Sequence, residues 1–158
     1  MSAVKRIRVP NRLAAVVRKP GGKTIAEAVA GAEANLEAIR DDCVAAVDAI
    51  LAAMVELSTV LKAMPTPEHL SQLYDLSDEM IGVAAIANLP AVGHAAFSVC
   101  ELVDAFSETG AFNWDAVAVH LNGLKLLRAM GDQLDEAARE QVLDGLRAVV
   151  RRVGAAEA

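Results

Sequence analysis

Apolar residues recur at steps of three and four along most of the chain, the period of one face of an α-helix. The longest run comprises Ile25, Val29, Ala32, Leu36, Ile39, Cys43, Val47, Ile50, Met54, Leu57 and Leu61. It predicts an amphipathic helix of about forty residues with that stripe turned to a core. Thr24 and Glu27 stand at its start with capping-box spacing: the hydroxyl suits the third helical amide and the carboxylate reaches back to the cap amide. Gly31 is a plausible break, which would leave a short helix ahead of the first bundle helix, and Pro65 and Pro67 end the run.

Four further helices follow by the same reasoning. The second runs from Thr66 or Pro67 to Ala87, with Leu70, Leu73, Tyr74, Ser77, Met80 and Ala84 inward. Asn88 and Leu89 make a turn, and Pro90 suits the first position of a third helix ending at Phe106, with Val92, Ala96, Val99, Leu102, Val103 and Phe106 inward. Ser107–Gly110 reads as a loop. Asn113 then caps a fourth helix through Ala116, Val117, His120, Leu121, Leu124, Leu127 and Met130, stopped by Gly131. The fifth starts at Asp132 or Asp135, turns Leu134, Ala138, Val142, Leu146 and Val149 inward, and lasts to Gly154. Connections this short make neighbours antiparallel, so the expected fold is all-α, an antiparallel helical bundle. The expected organisation is a basic arm over residues 1–23, a bundle domain over 24–154 and a frayed tail over 155–158.

Composition narrows the function classes. The chain is 158 residues long and 54% hydrophobic but 3% aromatic, a balance that suits close helix packing and opposes disorder. Charged residues interrupt the Ala-rich stretches and no signal-type apolar region opens the chain, so a transmembrane segment is not expected and the expected location is cytoplasmic. Cys43 and Cys100 both fall on apolar faces and read as reduced core thiols. The net charge of −6 conceals an asymmetry: residues 1–23 hold Lys5, Arg6, Arg8, Arg12, Arg18, Lys19 and Lys23 without an acid, and the rest carries 8 basic against 21 acidic residues. Such an arm can fold back on an acidic body or reach an acidic partner, nucleic acid or an anionic membrane. It lacks interleaved aromatics and the body is acidic, which weighs against nucleic acid.

The stretch richest in information is LYDLSDEMIG, Leu73–Gly82. Leu76, Ser77, Asp78, Glu79, Met80, Ile81 and Gly82 parallel the pattern apolar-A-H-D-I-K-G. Leu89-Pro90 then corresponds to a G-Y-P turn and Ser98-Val99-Cys100 to a later S-L-C. In these motifs the chain resembles the histidine-containing phosphotransfer domains of two-component signalling, over roughly Leu61 to Arg152. The resemblance implies a four-helix bundle of phosphotransfer type with an N-terminal helical extension. It also implies a degenerate site: Asp78 stands at the phosphoaccepting histidine, Ile81 at the nearby lysine, and Gly82 alone is retained.

An aspartate cannot form a phosphohistidine, and Asp75, Asp78 and Glu79 without a lysine or a magnesium ion repel phosphate. The expected function is therefore non-catalytic docking on a receiver or histidine kinase domain through Asp75, Asp78, Glu79, Ile81, Gly82 and Ala85. Two alternatives stay open: phosphotransfer through His94 or His120, and binding of nucleic acid or an anionic surface by the basic arm. His69 is expected to face solvent. No metal motif, phosphate loop or catalytic triad pattern is present, Glu101, Asp104 and Glu108 read as a solvated stripe, and no cofactor is expected. The long first helix also suits a homodimer.

Overall fold

A computed structural model of the protein describes residues 21–131 and 133–155. They form five α-helices and no strand: α1 Ile25–Ala63, α2 Pro67–Ile86, α3 Pro90–Thr109, α4 Trp114–Met130 and α5 Glu136–Gly154. The chain divides into two compact units, Met1–Glu37 and Ala38–Ala158, with the boundary inside α1.

In the first unit the capping box forms as its spacing predicts. The Glu27 amide donates to Thr24 Oγ1 at 3.2 Å and the Thr24 amide donates to Glu27 Oε2 at 2.7 Å. That amide, then the Thr24 hydroxyl, holds the Glu27 carboxyl below the usual carboxylate range. Gly31 does not break α1, which runs unbroken for 39 residues. A helical glycine costs only about 1 kcal/mol against alanine, and Ala26, Ala28, Ala30, Ala32 and Ala34 around it are strong helix formers. The stripe expected to face a core is open here: Ile25 is 86% exposed, and Val29 and Leu36 are each 49% exposed. Periodicity identified the apolar side of the helix but not what covers it.

In the second unit the same stripe closes. Val47, Ile50, Met54, Leu57 and Leu61 of α1 join one core with Leu73, Met80 and Ala84 of α2, Val99 and Leu102 of α3, Leu121 and Leu124 of α4, and Leu143 and Leu146 of α5. Asp48 grips Arg128 of α4 with a two-pronged ion pair, Nε to Oδ1 at 2.7 Å and Nη2 to Oδ2 at 2.8 Å. The Lys62 ammonium lies 5.5 Å from the centre of the Trp114 ring. By length and hydropathy alone α1 is apolar enough to cross a membrane, with Asp48 and Glu56 the only charged residues between positions 43 and 60. Within that stretch the buried face serves the core and Asp48 is taken up by Arg128.

Each later helix starts on a side-chain cap where the sequence has one. Thr66, Asn113 and Asp135 accept from the amides of His69, Ala116 and Ala138. The central element is α3, which packs against α2, α4 and α5. Small buried residues, Ala95, Ala96, Ser98 and Ala105, let its neighbours approach. It also runs to Thr109, beyond the expected end at Phe106. Ser107 and Thr109 donate their hydroxyls back to the carbonyls of Val103 and Ala105 at 3.0 and 2.8 Å, so the polar run continues the helix until Gly110 closes it at φ 69°. Met130, expected inward, is exposed, and Leu143 of α5, not among the residues expected inward, is buried.

Leu102, fully buried on α3, sets the first test. Leu102→Ala should cost about 2–5 kcal/mol in urea unfolding. Leu126→Ala on the open side of α4 should stay within about 1 kcal/mol. Equal losses would contradict the assignment of α3 to the centre.

Candidate functional site

The residues picked out by the motif share the open side of α2. Asp75, Asp78, Glu79, Gly82 and Ala85 are exposed, and Ile81 is half-buried against the edge of the core. A methyl group added at Gly82 would meet no atom within 4 Å, so packing makes no demand for glycine there. Asn88 takes up the left-handed conformation, φ 58°, that turns the chain from α2 into α3.

Covered by three helices, α3 keeps one narrow side to solvent: Pro90, His94, Phe97, Asp104, Ser107 and Glu108 are exposed, with Glu101 partly so. Phe97 is the outlier on this strip, 54% exposed among polar and acidic neighbours. It was not among the expected site residues, yet the signal was available. It stands three residues from His94 and four from Glu101, in register with the stripe that its own acids mark as solvated. The strip lies beside α2, and the two form a groove of about 440 Å³ lined by Ile81, Ala85, Pro90, Gly93, His94 and Phe97. A Cβ at Gly93 would sit 3.7 Å from that of Ala84, an ordinary contact, so packing makes no demand for glycine there either.

Acidic groups of both helices converge around Tyr74 and Cys100. Asp104 raises the Tyr74 phenol most, followed by Cys100, and Asp78 and Asp75 add to it. Burial pushes the Cys100 thiol up to about 11, with Asp78, Asp104 and Glu101 adding to the effect. Two stripes that read separately in the sequence thus make one negative surface. Among the described residues no lysine or arginine is ion-paired with Asp75, Asp78, Glu79, Glu101 or Asp104. A wider depression of about 810 Å³ lies where α2 begins and α3 ends, lined by Pro65, Leu70, Tyr74, Phe106 and Phe112, and holds none of the expected site residues.

The three histidines have different surroundings. His120 is fully buried. Its Nδ1 lies 2.8 Å from the Ala116 carbonyl and its Nε2 lies 3.1 Å from Ser98 Oγ. A carbonyl can only accept, so Nδ1 carries the proton and Nε2 accepts from the Ser98 hydroxyl. Such an imidazole is out of reach of a phosphoryl donor, which removes the condition on which the His120 alternative rests. His69 does not simply face solvent: its Nδ1 lies 3.1 Å from the carbonyl of Met64. His94 is exposed and borders the α2–α3 groove.

Of the motif-matched core residues, Ser98 is the partner of His120, and Cys100 is buried with its sulfur 3.9 Å from the Tyr74 carbonyl. Cys43 is half-buried and also free. Among the described residues no group of three histidine, cysteine or acidic side chains is arranged to hold a metal. Lys23 is exposed, whereas Lys5, Arg6, Arg8, Arg12, Arg18 and Lys19 lie outside the described residues. No protein-family model, curated protein or solved structure matches the chain. The phosphotransfer resemblance therefore rests on the chain's own motif.

Burial holds the His120 imidazole below its usual pKa, against a smaller opposing effect of the Ala116 carbonyl. The folded state therefore binds fewer protons here than the unfolded chain, and its stability contribution, complete above about pH 6.5, falls as pH drops below that value. The urea midpoint should decline between about pH 7 and 5, and His120→Gln should flatten the decline. An identical slope in both proteins would contradict the neutral, buried imidazole.

Proposed function

We propose that the protein is a non-catalytic interaction module of two-component signalling, a bundle of phosphotransfer type that docks on a receiver or histidine kinase domain without accepting phosphate. The observation that carries this reading is Phe97, an exposed ring on the same groove as Ile81 and Ala85. An apolar patch rimmed by charge is a common form of protein interface. The groove's Ile81 stands three residues after Asp78 and two after Glu79 on α2, the positions where the motif would place the reactive histidine and its neighbour. Gly82 leaves open space on that face. Asp78 offers no imidazole, and the surrounding carboxylates disfavour an incoming phosphoryl group. The protein in this reading works in the cytoplasm and occupies, scaffolds or senses its partner's surface.

One observation favours a second reading. His94 is exposed and lines the groove, so an imidazole is on hand next to a docked receiver, four residues into α3 rather than at the motif position. Phosphate on His94 after incubation with a phosphorylated receiver would replace the non-catalytic reading with this one.

The test is affinity capture from native lysate with the intact chain, Phe97→Glu and Asp78→Arg, read by mass spectrometry. Receiver or histidine kinase domains should come down with the intact chain and fall at least about tenfold with Phe97→Glu, the loss expected of a central aromatic anchor. Phe97 is exposed, so its replacement should leave the fold intact. Absence of such domains, or equal recovery with all three baits, would sink the proposal. Capture lost on deleting residues 1–22 and weakened steeply by salt would move the function to the basic arm.

A further inference from the structure

Every formal charge on α2 and α3 is negative. The chain has no lysine or arginine between Lys62 and Lys125, so the acids of these helices have no basic neighbour on either element. The two sets also converge in space. Asp78 and Asp104 both act on the Cys100 thiol and on the Tyr74 phenol, one acid from each helix. Asp75, Asp78, Glu79 and Asp104 are exposed, so packing leaves this charge to solvent or to a partner.

The face changes character along its length. Near the α2–α3 turn it is the apolar groove of Ile81, Ala85, His94 and Phe97. At the turn itself the charge has the other sign, because Arg40 of α1 donates its Nε to the Ala87 carbonyl at 3.5 Å. Away from the turn the acids begin. At 1.5 Å per residue, Asp78 lies about 4.5 Å beyond Ile81 along α2, and Glu101 about 6 Å beyond Phe97 along α3. Asp75 and Asp104 follow about 9 and 10 Å beyond the same two residues.

Resting on the docking reading above, we infer that the element which docks here is a basic amphipathic helix. It places an apolar side chain in the groove at Phe97 and a lysine or arginine one turn and two turns further along. Two helices side by side offer no open backbone ladder, so recognition falls to side chains in a groove, the setting in which a third helix lies. One helical turn rises about 5.4 Å, which matches the step from the groove to Asp78 and Glu101, and again to Asp75 and Asp104. The same acids repel an anionic lipid surface, a nucleic acid and the α2–α3 face of a second copy.

The probe is an acetylated, alanine-based helical peptide of about twenty residues. It carries one leucine, with an arginine one turn and another two turns on; its twin has glutamate at the arginine positions. In an amide chemical-shift titration of the full chain, the basic peptide should shift Ile81, Phe97, Asp78 and Glu101. Its Kd should lie at least about tenfold below the twin's. Asp78→Asn with Glu101→Gln, neither in the core, should bring the two peptides within about threefold of each other. Equal binding of both peptides by the intact chain, no binding, or shifts centred elsewhere would overturn the inference. The docking reading fails separately. Basic peptide bound where no receiver binds would remove the two-component partner and keep the basic helix. A receiver bound at this face with an affinity indifferent to Asp78→Asn with Glu101→Gln would keep that partner and remove the basic helix.

Discussion

Burial of α3 by three neighbours is the constraint on which the rest of the second unit depends. A helix enclosed by α2, α4 and α5 needs small residues where its neighbours approach, and Ala95, Ala96, Ser98 and Ala105 supply them. Enclosure also brings a polar pair into the interior, and Ser98 and His120 satisfy each other there with the Ala116 carbonyl completing the set. What remains open on α3 is a narrow strip. Whatever stands on that strip is presented to solvent by the packing of everything else, and it includes Phe97.

Much of this was legible from spacing alone. Thr24 with Glu27, Thr66, Asn113 and Asp135 are caps because a short polar side chain at a helix start has an amide to satisfy, and that rule is local. The acidic positions of α2 were legible for a similar reason, since Asp75, Asp78 and Glu79 share a helical face whatever packs on the other. Two misreadings have one physical cause. Periodicity shows which side of a helix is apolar and says nothing of how far its neighbours extend. Ile25 and Val29 therefore looked like Val47 and Met54, although the first two are open and the last two are buried. The same limit placed Met130 inside. The end of α3 was missed because Ser107 and Thr109 read as loop formers, whereas their hydroxyls fold back on the helix carbonyls.

The candidate face illustrates how a site can be assembled from parts that are individually unremarkable to a sequence reader. Asp78 and Ile81 belong to α2, and His94, Phe97 and Asp104 to α3. Only the turn through Asn88 brings them side by side. The outcome is an apolar groove on Ile81, Ala85, His94 and Phe97 beside the acidic positions of α2 and α3, and in the proposed reading Asp78 offers a carboxylate in place of an imidazole. A surface of that kind suits recognition better than phosphoryl chemistry, because the carboxylates repel the group to be transferred while the ring and the aliphatic side chains remain available for contact.

The most direct test is to map the footprint of a receiver domain on the protein by amide chemical-shift perturbation. The account predicts shifts confined to the second half of α2 and the first half of α3, centred on Asp78, Ala85 and Phe97. Shifts centred on the depression beside Pro65 and Phe112, or none at saturating receiver, would contradict it.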